Sequence, residues 1–122
     1  MQTDLQLTFR SAPRSEALAT HIRQRAGKLD HLFDRIISCH VVVEFSGHHH
    51  RHGDQYRYTI HIGLPGHEVL VTHPPAAERE LKDAYVTVDR AFDEAERQLE
   101  HWAKGQREQR HDAAPLGHRP RY

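Results

Sequence analysis

A chain of 122 residues is long enough to bury the core of one domain and needs no second. Its 17 Lys and Arg balance 17 Asp and Glu, which excludes the globally basic surface of many nucleic-acid binders, although 13 histidines leave it ready to turn cationic as pH falls. A single cysteine excludes a disulfide framework, and no apolar run approaches the roughly 18 residues of a membrane span, so a cytoplasmic protein without a membrane partner is expected.

Leu5, Leu7 and Phe9 alternate with polar neighbours and predict a first strand, stopped by Ser11-Ala12-Pro13. Ser15 is the N-cap of a helix to about Asp34, with Glu16 in its first turn and Leu18, Ile22, Leu29 and Phe33 on its apolar seam. Gly27 inside that helix costs about 1 kcal/mol relative to alanine, which predicts a packing reason for it. Within a few residues the period changes from helix to strand: Ile37, Cys39, Val41, Val43 and Phe45 alternate, giving a second strand over about Ile36 to Ser46. Cys39 reads as a small packed hydrophobe.

The polar run Gly47 to Asp54 predicts a hairpin connection into a third strand, Tyr56 to Leu64, where Tyr56, Tyr58, Ile60 and Ile62 alternate with Arg57, Thr59 and His61. Pro65-Gly66 predicts a turn into a fourth strand, His67 to Thr72. Pro74-Pro75 breaks the sheet. Leu81, Tyr85, Val88, Phe92, Ala95, Leu99 and Trp102 then follow at spacings of 4, 3, 4, 3, 4 and 3, an amphipathic helix with one seam. A short coiled coil fits that seam too, but the sheet supplies the nearer surface to cover. Past Gly105 the apolar period is lost, so residues 1–105 are expected to form the domain and 106–122 a flexible tail. Two single-faced helices and four amphipathic strands in the order β-α-β-β-β-α satisfy every face as an α+β two-layer sandwich, a four-stranded sheet with both helices packed on one side.

Charge can be assigned to helix faces from the 100° turn per residue. Arg14, His21, Lys28 and Arg35 align on one flank of the first helix, with Arg25 and His31 close by and Asp30 and Asp34 opposite. On the last helix Arg90, Arg97 and Lys104 repeat at seven opposite the apolar seam, with His101 near them. Asp89, Asp93, Glu96 and Glu100 line one shoulder of that ridge and Glu94 the other. The simplest account of such a face is solvation with exposed pairs such as Asp93 with Arg97, each contributing a few tenths of a kcal/mol.

His48, His49, His50 and His52, with Arg51 among them, form the densest group of candidate ligands. No cysteine or carboxylate stands at a structural-metal spacing beside them, so no metal or other cofactor is expected; a pH-dependent phosphate contact is the alternative use. His40 and His61 have the period of the helix-free sheet face and are expected as exposed neighbours across the ladder. There is no glycine-rich phosphate loop, no HExxH and no G-x-S-x-G elbow, so neither an enzyme nor a small-molecule substrate is expected.

The run LFDRIISCHVVV resembles the hallmark segment of the ribosome hibernation promoting factor family, also called ribosome-associated inhibitor A or sigma-54 modulation proteins. The family's second signature is matched by Asp83, Tyr85 and Glu96-Arg97-Gln98-Leu99, and the resemblance spans roughly Leu5 to Lys104. It implies the same element order, similar in shape to double-stranded RNA-binding domains, and a non-catalytic stress factor. Such a factor occupies the messenger and transfer RNA channel of the small ribosomal subunit and inhibits translation through contacts with ribosomal RNA. Its basic positions fall on Arg25, Lys28 and His31 in the first helix and on Glu94, Arg97 and His101 in the second. Glu94 reverses the charge where relatives commonly carry lysine, which implies weaker RNA binding. Arg90 and Lys104 join the expected RNA-binding set from helical geometry. Longer relatives add a ribosome-pairing or cold-shock-like domain, and neither follows here, so ribosome dimerisation by this chain alone is not expected. Two other readings stand beside this one: a stress-associated module of the same fold redirected to a protein partner or free RNA, and a histidine-loop metal binder.

Overall fold

The computed structural model describes residues 5–11, 13–45, 56–74 and 84–113, with the side chains of 109–113 excepted. The elements are β1 (Leu5–Arg10), α1 (Glu16–Leu32), β2 (Ser38–Phe45), β3 (Tyr56–Leu64), β4 (His67–His73) and α2 (Ala84–Ala113). They build one four-stranded mixed sheet in the order β1-β2-β3-β4, with β1 parallel to β2 and the other neighbours antiparallel. The expected β-α-β-β-β-α sandwich is therefore the observed one. The hairpin connection of the histidine run, together with Leu81 and Asp83, lies outside the described residues.

Period two and period 3.6 meet in a single core. Cys39, Val41 and Val43 of β2, Tyr58, Ile60 and Ile62 of β3, and Val69 and Val71 of β4 are buried on one sheet face. Leu18, Ile22, Ala26 and Leu29 of α1, and Val88, Phe92, Ala95 and Leu99 of α2, cover them. α2 lies over β3 and β4, while α1 packs beside α2 and toward β1. Tyr58 is fully buried and its hydroxyl donates to the Ala84 carbonyl at 3.0 Å, which fixes the start of α2 over β3. Ser15 caps α1 as expected, its hydroxyl accepting from the Leu18 N–H at 3.2 Å. No described helix is long and apolar enough to cross a membrane.

Three local expectations are corrected. Ile37 is 61% exposed and Ile36 takes the inward place at 8%, because residue 37 precedes the ladder and strand alternation does not yet govern it. Gly27 has no packing reason: a Cβ built there meets nothing within 4 Å. α2 does not stop near Gly105 but continues to Ala113, because Gln106, Arg107 and Glu108 are good helix formers and helicity outlasts the apolar seam. At Pro65-Gly66 the turn has the expected chemistry, with Gly66 at φ 69° in the left-handed region and Leu64 paired to His67.

Candidate nucleic-acid interface

The two helices meet along a seam whose sides carry opposite charge. α1 offers His21, Arg25 and Lys28; α2 offers Asp89, Asp93 and Glu96; both sets are spaced four and then three residues apart, so they run in register. Arg25 is the centre of it. Its Nη1 donates to Asp89 Oδ1 at 2.6 Å and its Nη2 to Asp93 Oδ1 at 2.9 Å, and its guanidinium carbon lies 5.4 Å from the Phe92 ring centroid. His21 Nε2 stands 2.8 Å from the same Asp89 Oδ1, and its ring meets Tyr85 edge-on at 5.2 Å. Lys28 Nζ is 3.9 Å from Glu96 Oε2, an electrostatic approach rather than a hydrogen bond. Burial alone would raise the Asp89 carboxyl, but the hydrogen bonds from His21 and Arg25 outweigh it and hold it below the usual carboxylate range.

On the outward side of α2, Arg97 is clamped by Glu94 one turn earlier, at 3.0 Å through Nε and 2.6 Å through Nη2. Gln98 donates to the same carboxylate at 2.8 Å. These bonds, Arg97 first, bring the Glu94 carboxyl down to about 2. The expected Asp93 to Arg97 pair is replaced: Asp93 turns to α1 and Arg97 takes Glu94.

The residues expected to touch RNA therefore fall into two groups. Arg25, with a side chain only 17% exposed, Lys28 and Arg97 face intramolecular carboxylates. His31, Arg90, His101 and Lys104 are exposed. Arg14 and Arg35, expected in the α1 strip, lie outside the helix: Arg14 pairs with Glu16 over Phe9, and Arg35 sits over Trp102. Among the described residues Arg35, Lys104 and Arg107 form no ion pair, so unneutralised charge gathers where α1 ends beside the later turns of α2. Helical pitch gave Arg35 and Lys104 on separate helices but not Arg107, and only the closing of α1 onto α2 brings Arg35 and Arg107 to one place.

The helix-free sheet face is mostly polar, with Leu70 exposed among its histidines, threonines and charged residues. His40 and His61 are partners across the ladder, as expected, but each has its own neighbour: His40 Nε2 is 2.9 Å from Thr8 Oγ1 and His61 Nε2 is 3.2 Å from Glu68. Among the described residues no group of three or more His, Cys, Asp or Glu is placed to hold a metal ion.

The model of the sigma 54 modulation protein / S30EA ribosomal protein family matches residues 5–107, from β1 into the last turns of α2. The chain belongs to this family. Its fold is similar to a ribosomal subunit interface protein from Coxiella burnetii, with TM-score 0.65 and 19% identity over 82% of this chain and 97% of that one. It is also similar to the N-terminal domain of Thermus thermophilus Protein Y, with TM-score 0.62 and 25% identity over 84% of this chain and 99% of that one. A search of curated proteins returns no match. In this chain each of Arg25, Lys28 and Arg97 has a carboxylate partner supplied by its own fold.

Proposed function

We propose that the chain is a non-catalytic, cytoplasmic ribosome-binding factor that occupies the messenger and transfer RNA channel of the small subunit under stress and so silences translation. The family match across both helices carries this reading. Selectivity rests on shape and affinity on phosphate contacts, as for double-stranded RNA recognition generally. Arg90 and Lys104 are exposed cations of α2, of which Lys104 forms no ion pair among the described residues, and His31 and His101 are exposed imidazoles. Arg25, Lys28 and Arg97 contribute after phosphates displace Asp89, Asp93, Glu96 and Glu94, which keeps affinity below that of a relative with free cations.

Ribosome pelleting across salt and pH tests the proposal. The expected result is co-sedimentation with small subunits at low salt, stronger at pH 6 than at pH 8, with log affinity falling linearly against log salt. Recovery only in the supernatant at low salt and pH 6 overturns it. The neutralised seam favours one other reading, a module redirected to a protein partner or to free RNA. Capture from nuclease-treated lysate separates the two, since a protein partner survives the nuclease.

A further inference from the structure

Where α1 ends against the later turns of α2, a cleft of about 390 Å³ opens between the helices. Leu32, Phe33 and Trp102 give it an apolar wall, and Arg35 and Arg107 give it two guanidinium groups in no ion pair. Asp34 also lines it, leaving an excess of one positive charge. Trp102 is half-buried at the margin of the core, its ring nearly parallel to that of His67 at 6.3 Å and 10°, with the Arg35 guanidinium 5.7 Å from its centroid. Leu32 is 52% exposed and extends the apolar wall toward solvent.

We propose that this cleft takes one unpaired nucleotide of RNA, its base against Trp102 and Arg35 and its phosphate held by Arg35 and Arg107. The assignment rests on the ribosomal RNA reading above and adds a contact of a different kind to it. Every base has a π-face, and both an indole ring and a guanidinium plane accept one without regard to sequence. The volume matches the lower range of small-molecule sites. An acidic peptide satisfies the two guanidinium groups but leaves the indole unused, which is why the chemistry favours a nucleotide. The seam reads helical phosphates; the cleft requires a base that has left its helix.

Trp102 is the sole tryptophan, so its fluorescence reports the cleft directly in the full chain. Titration with a cytidine hexaribonucleotide at low salt is expected to quench it saturably, with an abasic ribose-phosphate hexamer of equal charge binding at least about tenfold more weakly. A double variant, Arg35→Gln with Arg107→Gln, changes only exposed side chains and is expected to weaken the hexaribonucleotide by tenfold or more. No quenching, equal affinity for the abasic hexamer, or equal quenching by hexaglutamate overturns the assignment. Pelleting of the same proteins keeps the two proposals apart. If the native chain sediments with small subunits but shows no base-dependent quenching, the cleft fails and the ribosome reading stands. If it quenches in the base-dependent way but never sediments, the cleft stands for single-stranded RNA and the ribosome reading fails.

Discussion

Arg25 on α1 donates to Asp89 on α2 across 2.6 Å, so this cation of α1 is already occupied by a carboxylate from the neighbouring helix. An RNA phosphate approaching Arg25 competes with Asp89 and Asp93 rather than with water. Replacing both, Asp89→Asn with Asp93→Asn, is expected to tighten ribosome binding and steepen the salt dependence by up to about 1 in the log-log slope. The stability lost is small, about 1 kcal/mol per pair, because both carboxylates are partly exposed. Pelleting across a salt series checks the first effect and thermal melting the second; an unchanged salt slope means that Arg25 does not touch RNA.

The acid limb of stability should carry the mark of Glu94 and Asp89. Both carboxyls are depressed in the folded chain, Glu94 to about 2 through its bonds from Arg97 and Gln98. A depressed carboxylate stabilises fully above its unfolded value and loses that contribution as pH falls through its folded one. For Glu94 the window runs from about 4.5 down to about 2. The native chain is therefore expected to lose melting temperature between pH 5 and pH 2 more steeply than Glu94→Gln, with the two curves converging at the acid end. Parallel curves across that range refute the prediction.

Three glycines predict opposite signs. Gly27 and Gly105 stand in helices with open space where a Cβ would go, so Gly27→Ala and Gly105→Ala are each expected to stabilise by about 0.5–1 kcal/mol. Gly66 holds φ 69° in its turn, and Gly66→Ala is expected to cost about 1–2 kcal/mol despite equally open space. Urea denaturation at pH 7 reads all three, and a destabilised Gly27→Ala would reveal a contact that the helix does not show.

Cys39 lies on the core side of β2, and burial, with Asp30 adding to it, pushes its thiol up to about 11. Only the thiolate attacks a disulfide reagent. At pH 8 the native chain is expected to react with such a reagent far more slowly than the denatured chain, at a rate set by opening of the sheet. Equal rates would place Cys39 outside the core.

Element types and their order were legible because each segment keeps one hydrophobic period long enough to identify it: β3 is observed with the bounds that its Tyr and Ile alternation predicts. What failed did so at places where period is not the controlling variable. Ile37 continues the alternation on paper but precedes the ladder, and past Gly105 the helix persists on propensity after its seam has ended. The charged face was half legible. Helical pitch placed Asp89, Asp93 and Glu96 on one shoulder of α2, yet nothing local to α2 says that this shoulder meets α1. That fact is tertiary, and it converts an apparently solvated flank into the partner of Arg25. The Trp102 cleft was hidden for the same reason, since Arg35 and Arg107 become neighbours only when the helix ends meet.

The parallel pairing of β1 with β2 sets an order of assembly. β3 and β4 close through the two-residue Pro65-Gly66 turn, and β2 pairs with β3, its successor among the described strands. Leu5, in contrast, meets Cys39 only after all of α1 has been laid down between them. Chain closure over that distance brings an entropic penalty that the hairpins largely avoid. Of the four strands, the one synthesised first is thus expected to be the last to find its place, and its amides should be the first in the sheet to exchange with deuterium.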